Sequence, residues 1–268
     1  TEQILIDNHK TSSALLEKKL NKNYENNYEV INTGVSGLTL KQHFYTLKEV
    51  MKYKPDIAIF LIGINDWNGH IYKLNDGNYE NIIFKIYLKN TLLWISLKKI
   101  INLKNKKKLI QQKHFDGSYL TKQNDSLSRK IKKNKLPKTV SKNFLKYFDK
   151  INSICETNNI TCIISNQPSA YSKKTSLKMQ KKFWMTPPNR NYTLNLDNLL
   201  KISSIYNEWI ALQKENKNFK ICNLSKKLEP TEINFYDDVH FTEIGALKFS
   251  EELFKCVVNK INIYGNRE

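Results

Sequence analysis

The chain has 268 residues, of which 40% are hydrophobic and 26% charged, and its formal net charge is +19. This length is sufficient for one α/β domain with a substantial core. The charge alone would suit binding to nucleic acid or an acidic surface. However, lysine, asparagine and isoleucine are abundant together, as AT-rich genomes produce, and no groove-reading or RNA-stacking motif accompanies them. Composition therefore argues against nucleic acid as a partner, although the positive field would favour anionic substrates such as acidic glycans or phospholipid head groups.

Helical and strand patterns alternate along the chain. Helices are predicted near residues 12–20, 40–53, 141–157, 196–215 and 244–258, and strands near residues 28–33, 56–62, 160–165 and 219–224. In the second helix, Leu40, Phe44, Leu47 and Met51 recur at helical spacing and mark a buried face. This repetition predicts a parallel sheet with right-handed crossovers and helices on both faces, in a single domain over residues 1–268.

Residues 68–139 fit the alternation least well, and we interpret them as a helical and basic insertion. Residues 82–101 are largely apolar and aromatic, but four lysines interrupt them, so they lack the continuous apolar stretch of a membrane-spanning helix. They predict one or two amphipathic helices that pack against the domain; a lid over the site or a membrane-surface element is the alternative. Residues 104–138 are polar and very basic, which predicts an excursion from the domain.

The four cysteines form neither a Cys-x-x-Cys motif nor a cluster with histidine, so neither a zinc site nor a redox motif is predicted. Cys162 and Cys222 lie in apolar strand patterns and are predicted to be buried free thiols. Free thiols favour a reducing, cytoplasmic compartment. No signal peptide is present, but an upstream signal or membrane anchor would change the location, which stays open.

The run at residues 237–245 (DDVHFTEIG) contains a carboxylate three residues before a histidine. Asp237 can fold back onto the Nδ1–H of His240, which fixes the tautomer of the imidazole and leaves Nε2 free to take a proton. The spacing therefore predicts a general base, His240, with Asp237 as its orienting partner. The alternative is a surface Asp–Asp pair followed by a helix that Thr242 caps.

Two upstream runs end predicted strands in glycine-bearing loops, at residues 31–37 (INTGVSG) and 63–67 (GINDW). Such loops are where an open α/β sheet presents ligand-binding groups. A glycine lets a bare N–H approach a ligand, and the Asn65 carboxamide adds a second donor, so the two runs suit an oxyanion hole. Alternatively, the glycines only end strands and Asn65 makes a turn. The chain has 8 glycines, and half of them fall in these three runs, which favours function.

Together the three runs resemble conserved blocks of the SGNH hydrolases, also called GDSL-like lipases and acylhydrolases. Gly37 matches that family's oxyanion glycine, Asn65 its oxyanion asparagine, and Asp237 with His240 its Asp-x-x-His pair. The resemblance implies the SGNH hydrolase fold, a three-layer α/β/α flavodoxin-like sandwich with a parallel sheet.

The resemblance also covers strands between the blocks, at residues 161–168 and 220–224, so it spans the chain apart from the insertion. One block has no counterpart: the family's first strand ends in a Gly-Asp-Ser or Gly-Gly-Ser turn whose serine is the nucleophile. Residues 1–7 (TEQILID) resemble the segment just after that serine. We therefore expect a truncated first strand, with the nucleophile immediately upstream of Thr1.

A pseudoenzyme that has lost the nucleophile is the alternative explanation. Ser12 and Ser13 are poor substitutes because they fall in a predicted N-cap, and Ser36 is better explained as a turn hydroxyl.

The resemblance implies a serine esterase or acylhydrolase that needs no metal or organic cofactor. Its substrate would be an ester of a small molecule, a glycan or a lipid, with water as the second substrate and a membrane surface as a further candidate partner.

Two residues are candidates for lining the substrate pocket: His70, five residues after Asn65, and Gln167, after the strand near residues 160–165. Asp66 is assigned to structure, as an acceptor for nearby backbone. The rival functions are a non-catalytic glycan- or lipid-binding protein of this fold and, less favoured, a basic polyanion-binding protein; oligomeric state is not predicted.

Overall fold

The computed structural model describes residues 6–24, 27–75, 130–131, 135–185, 187–188 and 192–261. The amphipathic stretch predicted at residues 82–101, and most of the basic stretch predicted at 104–138, lie outside the described residues. None of the helices in the described part has both the length and the hydropathy of a membrane span.

Helices and strands alternate through the described chain. The helices are α1 (Ser12–Asn23), α2 (Leu40–Val50), α3 (Ile64–Asn75), α4 (Lys142–Thr157), α5 (Leu177–Gln180), α6 (Leu196–Ala211) and α7 (Glu243–Ile261). The strands are β1 (Ile57–Ile62), β2 (Lys130–Ile131), β3 (Thr161–Asn166), β4 (Tyr192–Thr193) and β5 (Phe219–Cys222). Every helix predicted from periodicity is present with its ends shifted by a few residues, and α3 takes in the first residues of the predicted insertion.

The described strands form a small parallel sheet in the order β1-β3-β5, and a second parallel pair joins β2 to β4. In the larger sheet, Ile57 pairs with Thr161 and Ile62 with Asn166, while Cys162 pairs with Phe219. The fold is therefore mixed α/β with parallel strands, as the alternating patterns predict. Because parallel strands run in one direction, the carboxyl ends of β1, β3 and β5 lie at one edge of the sheet, where open α/β sheets bind ligands.

Apolar helix faces cover this sheet, and aromatic side chains fill much of the space between them. Phe144 of α4 meets Tyr206 of α6 edge to face at 5.1 Å between ring centroids, and Phe148 meets Phe219 of β5 at the same separation. Trp67, in the first turn of α3, is fully buried. These contacts fix α3, α4 and α6 against the sheet and so hold the loops at its carboxyl edge.

The helices α1 and α7 pack along each other, and an exposed ion pair at 2.8 Å joins Lys10, just before α1, to Glu243 in the first turn of α7. The hydroxyl of Thr11 accepts the N–H of Ala14 and caps α1. The predicted N-cap at Ser12 and Ser13 is therefore one or two residues too late, since both serines lie in the first helical turn.

The strand predicted at residues 28–33 is wrong. The segment forms no strand and joins no sheet among the described residues; side chains of α1 bond part of its backbone instead. The carboxamide of Asn21 accepts the N–H of Tyr28 at 2.7 Å and donates to its C=O at 2.9 Å. The carboxylate of Glu17 accepts the N–H of Val30 at 2.6 Å. The apolar alternation therefore did not reveal that side chains of α1 bond part of this backbone.

The prediction of free thiols is also wrong. Cys155 is bonded to Cys162 and Cys222 to Cys256, with Cα atoms 6.0 and 5.9 Å apart, a usual spacing for a disulfide. Cys162 and Cys222 are buried as predicted. Their partners come from helices that the fold packs onto the strands, which cysteine spacing in the sequence does not reveal. The argument for a reducing compartment therefore fails.

Candidate active site

The predicted base and its orienting residue form the centre of the site. Oδ2 of Asp237 lies 2.7 Å from Nδ1 of His240, while Oδ1 accepts the backbone N–H groups of Val239 at 3.0 Å and His240 at 2.9 Å. The carboxylate is 2% exposed and the imidazole 24% exposed. Nε2 of His240 has no hydrogen-bond partner within the described residues. The ring is therefore fixed through one nitrogen, and the other is available to a ligand.

Electrostatics in this pair favour a charged imidazolium. Burial works against the charge and lowers the pKa of His240, but the Asp237 carboxylate, its hydrogen bond and the nearby Asp238 outweigh burial and raise that pKa above 6.5. For Asp237, burial opposes ionisation, yet the His240 charge and the three hydrogen bonds hold its pKa below the ordinary value. Asp237 is thus an anion that stabilises the protonated form of His240.

A second aspartate supports the pair. Asp238 is fully buried, and its Oδ1 accepts the N–H groups of Trp184 at 2.7 Å and Met185 at 3.0 Å. Its Oδ2 accepts the hydroxyl of Tyr171 at 2.9 Å, and its backbone C=O accepts the N–H of Ala170 at 2.7 Å. The surface Asp–Asp pair considered from the sequence is therefore wrong, since both carboxylates are buried.

The helix cap in that same alternative is present. Thr242 accepts the N–H of Gly245 at 3.0 Å and caps α7. A Cβ on Gly245 would lie 1.9 Å from the backbone oxygen of Asn234, so this glycine is required by close backbone approach rather than by contact with a ligand.

One predicted oxyanion donor, Gly37, lies in the loop before α2, and the other, Asn65, lies in the first turn of α3. Gly37 has φ of +81°, a conformation that favours glycine, and it ends a turn directly before Leu38. Nδ2 of Asn65 donates to the C=O of Leu38 at 2.9 Å. Because a carboxamide nitrogen carries two hydrogens, one remains for a ligand. The bond to Leu38 therefore ties the Gly37 turn to the start of α3 without consuming both donors.

Asp66 has the structural role expected from the sequence. Its two carboxylate oxygens each lie 3.1 Å from the N–H of Leu40, the first residue of α2. Burial raises the pKa of Asp66 to about 7, against the hydrogen bond from Leu40, which lowers it. Asn65 bonds Leu38 and Asp66 bonds Leu40, so the first turn of α3 holds residues 38–40, which follow Gly37.

The two halves of the site are joined through one short segment. The carboxamide of Asn68, one turn after Asn65, donates to the C=O of Met185, and the N–H of Met185 donates to Asp238. Met185 therefore links the helix that carries one oxyanion candidate to the loop that carries the base. Gly63, just before α3, packs closely against the side chain of Gln167, since a Cβ on Gly63 would lie 2.6 Å from the Cβ of Gln167.

No family model, curated protein or solved structure matches the chain. A function for this site therefore has to be argued from its geometry.

The two candidate pocket residues are held by neighbouring protein groups. Nδ1 of His70 lies 3.0 Å from the hydroxyl of the buried Tyr206, and burial lowers the pKa of His70. Gln167 is 5% exposed, its side chain donates to the C=O of Pro168, and Asn207 bonds both its N–H and its C=O. These contacts hold both residues in place near the carboxyl edge of the sheet.

Sequence reasoning missed Trp184 and assigned no role to Asp238. Nε1 of Trp184 donates to Oδ2 of Asp237 at 2.7 Å, and its ring is stacked on His240 with centroids 6.1 Å apart. Trp184 precedes Asp237 by 53 residues, and no motif surrounds it. The adjacent aspartates at 237–238 were the sequence signal for the role of Asp238, because two carboxylates next to a candidate base suggest that both support it.

Proposed function

We propose that this protein is an SGNH-type serine ester hydrolase with the three-layer α/β/α sandwich of that family. One observation carries the proposal: Asp237 lies 2.7 Å from Nδ1 of His240, and Nε2 has no partner within the described residues. A partly exposed imidazole that a buried carboxylate orients suits general-base catalysis. A histidine with a purely structural role usually engages both ring nitrogens or packs in the core.

The nucleophile would be a serine that precedes Thr1. The Lys10–Glu243 ion pair supports this placement, because it holds the start of α1 against the first turn of α7, three residues after His240. An extended chain covers about 3.3–3.6 Å per residue. A serine that precedes Thr1 would be at least six residues ahead of Ile6, and an extended chain of that length spans about 20 Å.

The free side of β1 also supports the proposal. Among the described residues, β1 pairs only with β3, and Ile59 on it is 36% exposed. An open strand edge with apolar side chains is a position where a further strand pairs. The family's first strand, which ends in the nucleophile, would occupy that position.

In the proposed reaction, Nε2 of His240 removes the serine proton as the serine oxygen attacks the ester carbonyl carbon. The N–H of Gly37 and the second N–H of the Asn65 carboxamide would stabilise the tetrahedral oxyanion. When the intermediate collapses, the alcohol leaves with the proton from the imidazolium. Water then repeats both steps on the acyl-enzyme and releases the acid. Throughout, Asp237 stabilises the charged imidazole.

The proposed substrate is an ester of a small molecule, a glycan or a lipid. The net charge of +19 favours substrates with acidic groups, since it concentrates anions near the surface at low salt. No metal or organic cofactor takes part in the proposed steps, because serine, imidazole and backbone donors supply the nucleophile, the base and the oxyanion contacts.

The test uses the full-length protein as encoded. p-Nitrophenyl acetate measures hydrolysis, and a fluorophosphonate followed by intact mass measures covalent labelling of an activated serine. We expect His240→Ala to lose both signals and His9→Ala, a matched change at an exposed histidine, to keep both. Equal activity in His240→Ala and wild type would contradict the proposal. A folded wild-type protein with neither signal would leave the non-catalytic binding protein as the better function.

A further inference from the structure

The indole of Trp184 contacts both members of the Asp237–His240 pair. Its Nε1–H donates to Oδ2 of Asp237 at 2.7 Å, the same oxygen that lies 2.7 Å from Nδ1 of His240. Its ring lies beside the imidazole, with centroids 6.1 Å apart and planes inclined by 26°. One side chain therefore restrains the carboxylate through a hydrogen bond and the imidazole through a stacking contact.

This contact completes the hydrogen bonding of the buried carboxylate. Oδ1 of Asp237 accepts the N–H groups of Val239 and His240, and Oδ2 accepts from His240 Nδ1 and Trp184 Nε1. A carboxylate has about four acceptor sites, so all of them have protein donors. A carboxylate in this state is held in one orientation, because any rotation breaks several bonds at once.

The backbone of Trp184 is fixed independently of its ring. The N–H groups of Trp184 and Met185 both donate to the buried Oδ1 of Asp238, the neighbour of Asp237. Two adjacent aspartates thus bind the same tryptophan, one through its backbone and the other through its indole. The loop that carries Asp237, Asp238 and His240 therefore holds the indole ring in place, and the ring in turn contacts Asp237 and His240.

We propose that Trp184 is a positioning residue for the Asp237–His240 pair: its indole N–H holds Oδ2 toward the imidazole, and its ring limits the imidazole to one orientation. The expected effect on ester hydrolysis rests on the proposed function. The restraint that Trp184 places on Asp237 and His240 does not. Because the indole donor draws on the charge of Oδ2, it also moderates the attraction between the carboxylate and the imidazolium.

The first experiment compares Trp184→Phe, which keeps an aromatic ring but removes the donor, with Trp184→Leu, which removes both. Trp209→Phe is the matched control, because Trp209 packs against Phe144 and Phe148 instead of the pair. For p-nitrophenyl acetate we expect kcat to fall about 10- to 100-fold in Trp184→Phe, as is typical when a supporting hydrogen bond is lost, with KM little changed. We expect a larger fall in Trp184→Leu and no fall in Trp209→Phe.

The second experiment reads the imidazole directly and needs no enzyme activity. NMR of histidine-labelled protein gives the pKa of His240, whose signal is identified by its loss in His240→Ala. We expect the pKa to be higher in Trp184→Phe than in wild type, because Oδ2 then acts on the imidazolium alone. An unchanged His240 titration in both Trp184 variants would overturn the proposal, even if the protein is an active esterase. Absence of esterase activity together with a shifted titration would overturn the proposed function and keep the positioning role.

A third measurement uses the wild-type protein only, so it does not depend on how well a variant folds. The chain contains 4 tryptophans, and each gives one indole N–H resonance. We expect one of these resonances to move with the midpoint at which His240 titrates, because its acceptor oxygen also binds the imidazole. If none of the four moves at that midpoint, the indole does not share Oδ2 and the proposal fails.

Discussion

The N–H of Leu40 lies 3.1 Å from both carboxylate oxygens of Asp66, and this bond joins the start of α2 to the start of α3. The carboxylate is 9% exposed, and burial raises its pKa to about 7. The folded protein therefore keeps a proton that the unfolded chain, with an ordinary pKa of 3.8, has already released. Stability contributed by the neutral form is complete below pH 4 and is lost as pH rises toward 7.

We predict that Asp66→Asn removes this pH dependence. The amide oxygen still accepts from Leu40, but no buried charge forms, so above pH 7 the variant should be more stable than wild type. The increase in the free energy of unfolding is at most about 4 kcal/mol, at about 1.4 kcal/mol per unit of difference between the folded and unfolded pKa of Asp66. Urea unfolding at pH 5 and pH 8 measures it, with Asp56→Asn at an exposed position as control. Equal destabilisation of Asp66→Asn at both pH values would mean that the ionised carboxylate is needed by the fold.

Asp237→Asn tests the electrostatic role of the orienting carboxylate. In wild type, activity should rise with pH through the pKa of His240, which Asp237 places above 6.5, because only the neutral imidazole accepts the serine proton. Without the carboxylate, burial dominates and the pKa of His240 falls. We expect kcat to decrease about 10⁴-fold, as in other triads where asparagine at this position favours the wrong imidazole tautomer. The measurement is the pH profile of ester hydrolysis, with Glu49→Gln at an exposed position as control. A profile that keeps the wild-type midpoint would exclude Asp237 as the source of the shift.

The parts of this molecule that sequence predicted are those set by local contacts. The helices follow from apolar periodicity within one segment, and the Asp237–His240 bond spans only three residues. The strand predicted at residues 28–33 failed because apolar alternation does not show whether a neighbouring strand or the side chains of Glu17 and Asn21 will bond the backbone.

The parts that could not be predicted depend on distant segments. Trp184 meets Asp237 across 53 residues, and Cys222 meets Cys256 across 34. Such contacts arise from how α7 and the segment around Trp184 pack against the sheet. Neither amino-acid pattern nor spacing along the chain encodes which partner is reached, so the contact between Trp184 and Asp237 and the two disulfides appear only in three dimensions.

Asn65→Ala tests the proposed oxyanion hole. Removal of one oxyanion donor typically costs about 3–4 kcal/mol of transition-state stabilisation, so kcat should fall about 10²- to 10³-fold with little change in KM. The variant also loses the bond to Leu38, so its thermal unfolding must be recorded alongside. Lys73→Ala, an exposed change on the same helix, should leave both activity and stability unchanged. Near-normal kcat in a folded Asn65→Ala protein would remove Asn65 from the site.

The disulfide between Cys222 and Cys256 joins the last residue of β5 to α7, the helix that follows His240. A cross-link stabilises mainly by restricting the unfolded chain, and the effect grows with the length of the closed loop. For sequence separations of 34 and 7, this model gives about 4 kcal/mol for Cys222–Cys256 and about 2 kcal/mol for Cys155–Cys162.

We therefore predict that the Cys222→Ala/Cys256→Ala double variant loses more free energy of unfolding than Cys155→Ala/Cys162→Ala. Urea unfolding without reductant measures both, and addition of reductant should bring wild type down by roughly the two losses combined. Because Cys155, Cys162 and Cys222 are fully buried and Cys256 is partly buried, reduction should be slow until the protein partly unfolds. If the two double variants are equally destabilised, loop length does not control the effect, and lost packing of the buried sulfur atoms becomes the better explanation. If reductant leaves wild-type stability unchanged, the cysteines are free in solution and α7 is held to β5 by apolar contacts alone.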